Sequence, residues 1–283
     1  MSTPTFGERF LSRADKYGQL CVGIDPHEEL LHAWDLPHTA RGLRTFSQIC
    51  VEAYAEAAAL VKIQVAFYEA FGSAGYAVLE ETIAALREQG ALVLADAKRG
   101  DIGSTMRGYA RAWLSPESTL CCDAVTASPY LGVESLAPMF DLAREQNAGV
   151  FVLGATSNPE AHGLQNAEMP ELSRTVSQHV IDSVGALNRA TMEDSGARAG
   201  GLGIVLGATV HNPPSVDSLG GVVLMPGVGA QGASFEDAIA LAPREKHLIS
   251  PNISRALLRH GPDVTALRTA TQEANVELSR ALN

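Results

Sequence analysis

The residues with the clearest chemistry lie in one segment, Ala91–Thr105, which reads ALVLADAKRGDIGST. Its apolar beginning and its charged, glycine-containing end predict a buried parallel strand that runs out into a loop. Because side chains alternate along a strand, Asp96 and Lys98 are expected to face the same side at its carboxyl end, with Asp101 on the following loop. Such a group has two interpretations: a strand-end salt bridge, or a site in which each charge tunes the protonation of the other.

The elements that must position these charges are eight apolar segments, most of them separated by stretches of helical periodicity. Strand–helix alternation predicts an α/β fold with a parallel sheet, and eight units predict a single-domain (β/α)8 TIM barrel over residues 1–283. A doubly wound open sheet is the alternative, but no G-x-G-x-x-G follows the first strand. The helix after the fifth strand is predicted over about Pro170–Met192. The eight predicted strands are Leu20–Pro26, Val61–Val65, Ala91–Lys98, Ala124–Pro129, Gly149–Ser157, Gly203–Thr209, Gly221–Gly227 and His247–Pro251.

In a barrel, the carboxyl ends of all strands meet on one face. Unpaired charges there would be costly, and paired charges would add little net stability. Two lysines and three aspartates at one end therefore favour a charge network that serves a substrate over a purely structural role. The residues expected on this face are Asp25, Lys62, Asp96, Lys98, Asp101, Ser128, Thr156, Pro226 and Arg255.

Two segments late in the chain have the composition of an anion site. The seventh strand continues into Pro226-Gly-Val-Gly-Ala-Gln231-Gly, whose glycines let backbone N–H groups approach a ligand. The eighth is followed by Asn-Ile-Ser-Arg255 at a predicted helix start, where a guanidinium and a helix N-terminus suit phosphate. A tight turn and a solvated arginine are the structural alternatives. Barrels frequently bind phosphate after strands seven and eight, which favours the anion site.

Composition excludes several classes of function. The 283 residues are 46% hydrophobic and 19% charged, with a net charge of -11 that disfavours nucleic acid and anionic membranes as partners. No apolar run is long enough for a membrane span, and the polar N-terminus has no signal-peptide core, so a cytoplasmic location is predicted. Interleaved Asp and Lys disfavour a metal cage, and no metal ligands are predicted. The cysteines are predicted to be reduced and mostly buried thiols (Cys21, Cys50, Cys121, Cys122). Three single loop histidines are predicted to be solvated and not ligands (His27, His162, His211).

The charged segment and four other motifs together resemble the orotidine 5'-phosphate decarboxylase family over nearly the whole chain. The matching motifs are Leu-Ala-Asp96-Ala-Lys98-Arg-Gly-Asp101-Ile-Gly-Ser-Thr105, Val-Gly-Ile-Asp25-Pro, Thr-Ala-Ser128-Pro-Tyr, Ala-Thr-Ser-Asn158-Pro and Pro226-Gly-Val-Gly-Ala-Gln231-Gly. The longer, type 2 variant is the more similar, because it carries Ala-Thr-Ser-Asn-Pro after strand five. The resemblance implies a homodimer of barrels. It also implies a carboxy-lyase that converts orotidine 5'-phosphate to UMP in de novo pyrimidine biosynthesis, without a metal or an organic cofactor.

The resemblance also implies roles for the charged residues. Lys98 would protonate C6 of the pyrimidine as carbon dioxide leaves, and Asp96 would lie near the substrate carboxylate. Asp25 and Lys62 would hold the ribose hydroxyls and extend the charge network. The chemistry is consistent with this, because a fixed ammonium beside C6 would stabilise the developing carbanion and deliver a proton. The nearby carboxylates are expected to keep Lys98 protonated.

Further roles follow from the same resemblance. Asp101, Ile102 and Thr105 would reach across a dimer interface into the partner's site. Ser128 would hydrogen-bond the pyrimidine. The base flank and the phosphate would be contacted by Pro226, Gln231 and Arg255. The loop after strand seven is short, so closure over the phosphate would be modest or would use the loop after strand five.

Three alternatives remain open at this stage. A sister sugar-phosphate decarboxylase or aldolase shares Asp-x-Lys-x-x-Asp but uses magnesium and an enediolate; Ser128 and Gln231 argue against it. A Schiff-base aldolase would use Lys98 or Lys62 as nucleophile, which flanking carboxylates disfavour by keeping the amine charged. A catalytically silent barrel that binds nucleotide monophosphates would leave the intact Lys98 and Asp96 unexplained.

Overall fold

The structure, a computed structural model, describes residues 3–229 and 232–283. Its centre is a closed barrel of eight parallel strands. The barrel strands are β1 (Cys21–Ile24), β2 (Leu60–Gln64), β3 (Val93–Arg99), β4 (Ala124–Ala127), β5 (Gly149–Ala155), β8 (Leu202–Leu206), β9 (Val223–Pro226) and β10 (Ile249–Ile253). They pair in chain order, and β10 closes the barrel against β1. The predicted (β/α)8 barrel is therefore confirmed, strand by strand.

Helices surround the barrel between most of the strands. They are α1 (Phe6–Tyr17), α2 (Glu28–Ala33), α3 (Ala40–Tyr54), α4 (Ala66–Glu69), α5 (Gly72–Glu88), α6 (Gly103–Leu114), α7 (Ala137–Gln146), α8 (His162–Gln165), α9 (Val176–Ser195), α10 (Phe235–Ala240), α11 (Arg255–Leu258) and α12 (Val264–Leu282). Several begin at a side chain that accepts a hydrogen bond from the first turn: Thr5 of α1 and Ser234 of α10 form capping boxes, which satisfies otherwise unpaired backbone N–H groups. Residues 207–222, between β8 and β9, contain no helix.

The segment before α9 differs from the prediction. In place of a helix from Pro170, a two-residue strand β6 (Glu168–Met169) pairs antiparallel with β7 (Arg174–Thr175) around a short 3-10 turn. Ser173 has a left-handed φ of 50°, which interrupts any helix there. The helix begins only at Val176, where the Thr175 side chain accepts a hydrogen bond from the third residue of the helix. Pro170 does open a helical turn, but a 3-10 turn that ends within three residues.

The barrel interior is layered along its axis. Leu60, Leu94 and Phe151 pack with Phe6 and Phe10 of α1 in one buried cluster, which closes the amino-terminal end. The residues that alternate with them belong to the outer core between strands and helices. Two residues further along β2, β3 and β4, the same inward alternation brings Lys62, Asp96 and Thr126 into the barrel. The interior is therefore apolar at one end and polar at the other.

All four cysteines are free and buried, as predicted. No helix among the described residues is long and apolar enough to cross a membrane.

Candidate active site

Four charged side chains form a continuous series at the carboxyl end of the barrel. The Lys62 Nζ lies 3.3 Å from Asp25 Oδ1 and 3.5 Å from Asp96 Oδ2, and Lys98 Nζ lies 2.6 Å from Asp96 Oδ1. Acidic and basic groups therefore alternate in the order Asp25, Lys62, Asp96, Lys98. The predicted proximity of these residues is confirmed. For Lys62 and Asp96 it arises because the inward positions of neighbouring parallel strands lie side by side, with Asp25 at the end of the adjacent strand β1.

The two central members of this series are buried and charged. Burial alone would lower the pKa of Lys62, but the carboxylates of Asp25 and Asp96 outweigh it and raise that pKa above its usual value. Burial would likewise raise the pKa of Asp96, but Lys62 and Lys98 outweigh it, and the pKa falls to about 2. Both groups are therefore ionised at neutral pH, and each depends on its neighbours for that state.

Lys98 reaches this position through a bulge and not through regular strand geometry. Its φ is 48°, uncommon for a residue other than glycine, and the pairing of β3 with β4 shifts register between Ala95 and Arg99. The Lys98 N–H donates to Thr126 Oγ1 at 2.8 Å, and the Thr126 hydroxyl donates to Asp96 Oδ1 at 2.9 Å. The prediction that Asp96 and Lys98 lie together is right, but the assumption of simple alternation is wrong. The bulge leaves the Lys98 side chain 48% exposed at the barrel mouth.

A second group of side chains supports the bulge from outside the barrel. The Arg99 guanidinium contacts the Glu69 carboxylate and donates to Ala97 O at 2.9 Å. Its Cζ lies 5.7 Å from the ring centroid of Tyr109 and 5.6 Å from that of Trp113, within range of cation–π attraction. Arg99 therefore ties the bulged segment to α4 and α6.

Two residues of the polar layer were not among the predicted site residues. Gln64 donates to Asp96 Oδ2 at 2.9 Å, so with Thr126 it satisfies the carboxylate from two neighbouring strands. Both stand on the inward alternation of their strands, Gln64 two residues after Lys62. That alternation is the signal that could have found them.

The segments of the predicted anion site follow β9 and β10, and β10 pairs with β1, the strand that precedes Asp25. Gly227 and Gly229 follow Pro226 with φ of 109° and 74°, left-handed values that favour glycine. A Cβ added to Gly229 would lie 3.7 Å from the Cβ of Ala256, so this loop adjoins the start of α11. Gln231 lies outside the described residues.

Arg255 opens α11 and is exposed, and it contacts a histidine. Its Nε donates to His27 Nε2 at 3.2 Å, and the His27 ring packs on Phe67 with 4.3 Å between ring centroids. His27 lies in the loop before α2, as predicted, but it is only half-exposed and is held by this hydrogen bond and ring contact. The contact joins residues 228 positions apart, so no local pattern indicates it.

The residues after β3 lie on the rim of the barrel mouth. Asp101 Oδ1 accepts from the Ile102 N–H at 2.7 Å, and the Ile102 side chain is 61% exposed. Thr105 is exposed on the first turn of α6. Half-buried Ser128 lies nearby, and its N–H donates to Arg99 O. In the described part of this chain, Asp101, Ile102 and Thr105 make no hydrogen bond or ion pair with the four-residue charge series.

Comparison with known proteins matches residues 18–270 to the model of one family, described as "Orotidine 5'-phosphate decarboxylase / HUMPS family". This chain belongs to that family. The predicted family resemblance is thus confirmed.

Members of the decarboxylase branch are similar to this chain along nearly its full length. A curated orotidine 5'-phosphate decarboxylase from Corynebacterium efficiens is 57% identical over 275 residues, 97% of each chain. Another from Corynebacterium glutamicum is 55% identical over 266 residues, 94% of this chain and 95% of the relative. A crystal structure of a Streptomyces avermitilis protein described as an orotidine 5'-phosphate decarboxylase superposes with a TM-score of 0.93 at 46% identity. It covers 100% of this chain and 97% of its own.

The predicted site residues in the described part of the chain lie in three places. The structure brings together Asp25, Lys62, Asp96 and Lys98. Pro226 and Arg255 lie at neighbouring strand ends, and Ser128 lies on the rim with Asp101, Ile102 and Thr105. Of residues 3–229 and 232–283, no group of three or more His, Cys, Asp or Glu side chains is arranged to hold a metal ion.

Proposed function

We propose that this chain decarboxylates orotidine 5'-phosphate to UMP in pyrimidine biosynthesis. The observation that carries the proposal is the alternating series Asp25, Lys62, Asp96, Lys98 at the open end of the barrel. The family model also covers a second group, abbreviated HUMPS, but relatives at 57% and 55% identity are named for orotidine 5'-phosphate decarboxylase. Similarity of this degree along the whole chain supports the decarboxylase activity.

Lys98 is the lysine suited to deliver the proton to C6. Lys62 is 5% exposed and lies between two carboxylates, whereas Lys98 is 48% exposed and contacts only the Asp96 carboxylate among the described residues. Departure of carbon dioxide leaves an electron pair on C6, and an adjacent ammonium stabilises that charge and then protonates the carbon. The product carbon gains the proton that Lys98 loses, and solvent at the exposed mouth can restore it.

Asp96 holds the ammonium in place. Its pKa of about 2 keeps it ionised throughout the physiological range, and its two oxygens face different partners. A carboxylate fixed here also lies near the substrate's own carboxylate in the proposed pose. Asp25 and Lys62, at the far end of the series, have the donors and acceptors to bind the ribose hydroxyls.

The phosphate is proposed to bind between the loop after β9 and the start of α11. Arg255 supplies a guanidinium, and Gly227 and Gly229 permit backbone N–H groups to face an anion. Pro226 is proposed to flank the base, with Ser128 as a hydrogen-bond partner of the pyrimidine. Gln231 keeps its predicted role at the phosphate. Binding energy from this remote group can orient the reacting ring.

We propose that the enzyme is a homodimer in which Asp101, Ile102 and Thr105 enter the partner's site. Support comes from the exposure of large apolar side chains beside the mouth: Ile102 is 61% exposed, Tyr130 75% and Leu131 53%. Apolar side chains clustered on one rim are typical of a surface that another chain covers. We also propose that residues 1–283 form a single domain and that the enzyme is cytoplasmic.

The proposal is tested by following the loss of orotidine 5'-phosphate absorbance in buffer containing a chelator. The native chain is expected to turn over, and Lys98→Ala to lose at least about a hundredfold in kcat. Lys16→Ala, which alters an exposed lysine of α1, is the matched control and should keep native activity.

The contrary outcomes point to different alternatives. Turnover that requires magnesium would favour the sister sugar-phosphate enzymes. Tight UMP binding without turnover would favour a silent barrel. Trapping of Lys98 or Lys62 by borohydride with a carbonyl substrate would favour the Schiff-base aldolase. Native activity in Lys98→Ala would overturn the role of that lysine.

A further inference from the structure

His27 occupies a defined position between the charge series and the anion site. It directly precedes α2, its backbone N–H donates to Asp25 O at 2.8 Å, and its ring packs against Phe67 of α4. Its Nε2 accepts a hydrogen bond from Arg255 Nε at 3.2 Å. The backbone is thus held at Asp25, and the ring is held by an aromatic face. This leaves the imidazole little freedom to turn away from Arg255.

The hydrogen bond has a consequence for how Arg255 presents its charge. A guanidinium has five N–H donors in a rigid plane and can bind a phosphate in bidentate fashion through its two terminal nitrogens, or through Nε and one of them. Engagement of Nε by His27 restrains the guanidinium plane and leaves the two terminal nitrogens available to a ligand. An exposed arginine without this partner would lose more rotamer freedom when it bound an anion.

We propose that His27 is a positioning residue that, as neutral imidazole, holds Arg255 in the orientation that binds the substrate phosphate. This inference rests on the proposed function, in which Arg255 is a phosphate ligand. His27 itself need not touch the substrate. The acceptor at Nε2 places the ring proton on Nδ1, so a single tautomer serves this contact.

The charges around the ring favour its neutral form. Burial lowers the pKa of His27 below its ordinary 6.5, and the cations of Arg255 and Lys62 lower it further, while Asp25 and Glu29 oppose them. Protonation would place an N–H opposite the guanidinium and end the hydrogen bond. Phosphate binding is therefore expected to weaken as the pH falls through the His27 pKa, beyond the change caused by phosphate protonation itself.

The test measures UMP and uridine binding by calorimetry between pH 5 and 8. His27→Phe keeps a ring against Phe67 but removes the acceptor, and it should weaken UMP binding roughly tenfold at pH 7.5. His27→Gln retains an acceptor that does not titrate. It should bind UMP as the native chain does at pH 7.5 and lose less affinity at pH 5.5. His260→Phe, at an exposed histidine just beyond α11, is the matched control.

Measuring uridine binding, and UMP binding by Arg255→Ala, distinguishes a failure of this inference from a failure of the proposed function. If Arg255→Ala leaves UMP binding unchanged, the phosphate role of Arg255 fails. If Arg255→Ala weakens UMP binding but His27→Phe does not, the inference about His27 alone is overturned. Equal losses for UMP and uridine in His27→Phe would indicate general disruption and also overturn it. The proposal is supported if the double variant His27→Phe/Arg255→Ala binds UMP no more weakly than Arg255→Ala alone.

Discussion

The Thr126 hydroxyl makes two contacts at once: it accepts from the Lys98 N–H and donates to Asp96 Oδ1. Thr126→Val keeps the shape but removes both, which leaves a backbone N–H without its partner and the carboxylate with one donor fewer. We expect the free energy of unfolding to fall by about 1–3 kcal/mol, with a lower kcat. Urea denaturation and steady-state kinetics measure the two effects. Thr126→Ser, which retains the hydroxyl, should stay near native in both; equal losses in Ser and Val would contradict this reading.

Asp96 makes stability depend on pH in a defined direction. Its pKa falls from an ordinary 3.8 to about 2 in the folded chain, so the folded state favours the ionised carboxylate. This contribution, about 2 kcal/mol, is fully present above pH 4 and is lost as the pH falls from about 4 towards 2. The stability difference between the native chain and Asp96→Asn should therefore shrink over that range. Urea denaturation at pH 6, 4 and 3 tests it; a constant difference at all three would contradict the assignment.

At the scale of elements, the carboxyl end of β3 depends on neighbours outside the barrel. Arg99 joins this bulged segment to Glu69 of α4 and lies over two aromatic rings of α6. Arg99→Met leaves Glu69 without its cation, and we expect a loss of about 1–3 kcal/mol in the free energy of unfolding. Because the bulge sets the direction of Lys98, kcat should fall as well.

The matched control for that element is Arg111→Met. Arg111 is exposed on α6, and its removal should change stability by no more than about 0.5 kcal/mol. Thermal denaturation and kinetics of both variants would be compared. Native kcat in Arg99→Met would show that the bulge keeps its geometry without this support.

At the scale of the whole molecule, the proposed dimer makes a prediction about mixed subunits. A dimer of one Lys98→Ala chain and one Asp101→Ala chain would have one site with both defects and one intact site. Random co-assembly of two inactive variants should therefore restore about a quarter of native activity. Co-expression followed by an assay of the purified mixture measures this recovery.

The control for subunit sharing uses two residues joined within one chain. Asp25 and Lys98 belong to the same charge series, so co-expression of Asp25→Ala with Lys98→Ala should restore nothing. Recovery in both mixtures, or in neither, would argue against Asp101 acting across the interface.

Sequence patterns were sufficient for the architecture because its causes are local. Apolar segments at strand length and helical periodicity between them predict each unit, and eight units close a barrel. The predicted helix start at Pro170 was wrong for a local reason as well. Pro170 opens a 3-10 turn instead of an α-helix, and the left-handed φ of Ser173 ends that turn.

By itself, the sequence determined the parallel barrel and the family, because both follow from short-range periodicity and from motifs read in order. It also predicted that Asp96 lies near Lys98, but the structure achieves this through the bulge at Lys98 and not through regular alternation. Tertiary structure decided how those charges are held. Gln64 meets Asp96 across 32 residues, Thr126 meets Lys98 across 28, and Arg255 meets His27 across 228. Closing the barrel brings such distant positions to one face, so the protonation of the series and the placement of its cations become properties of the fold.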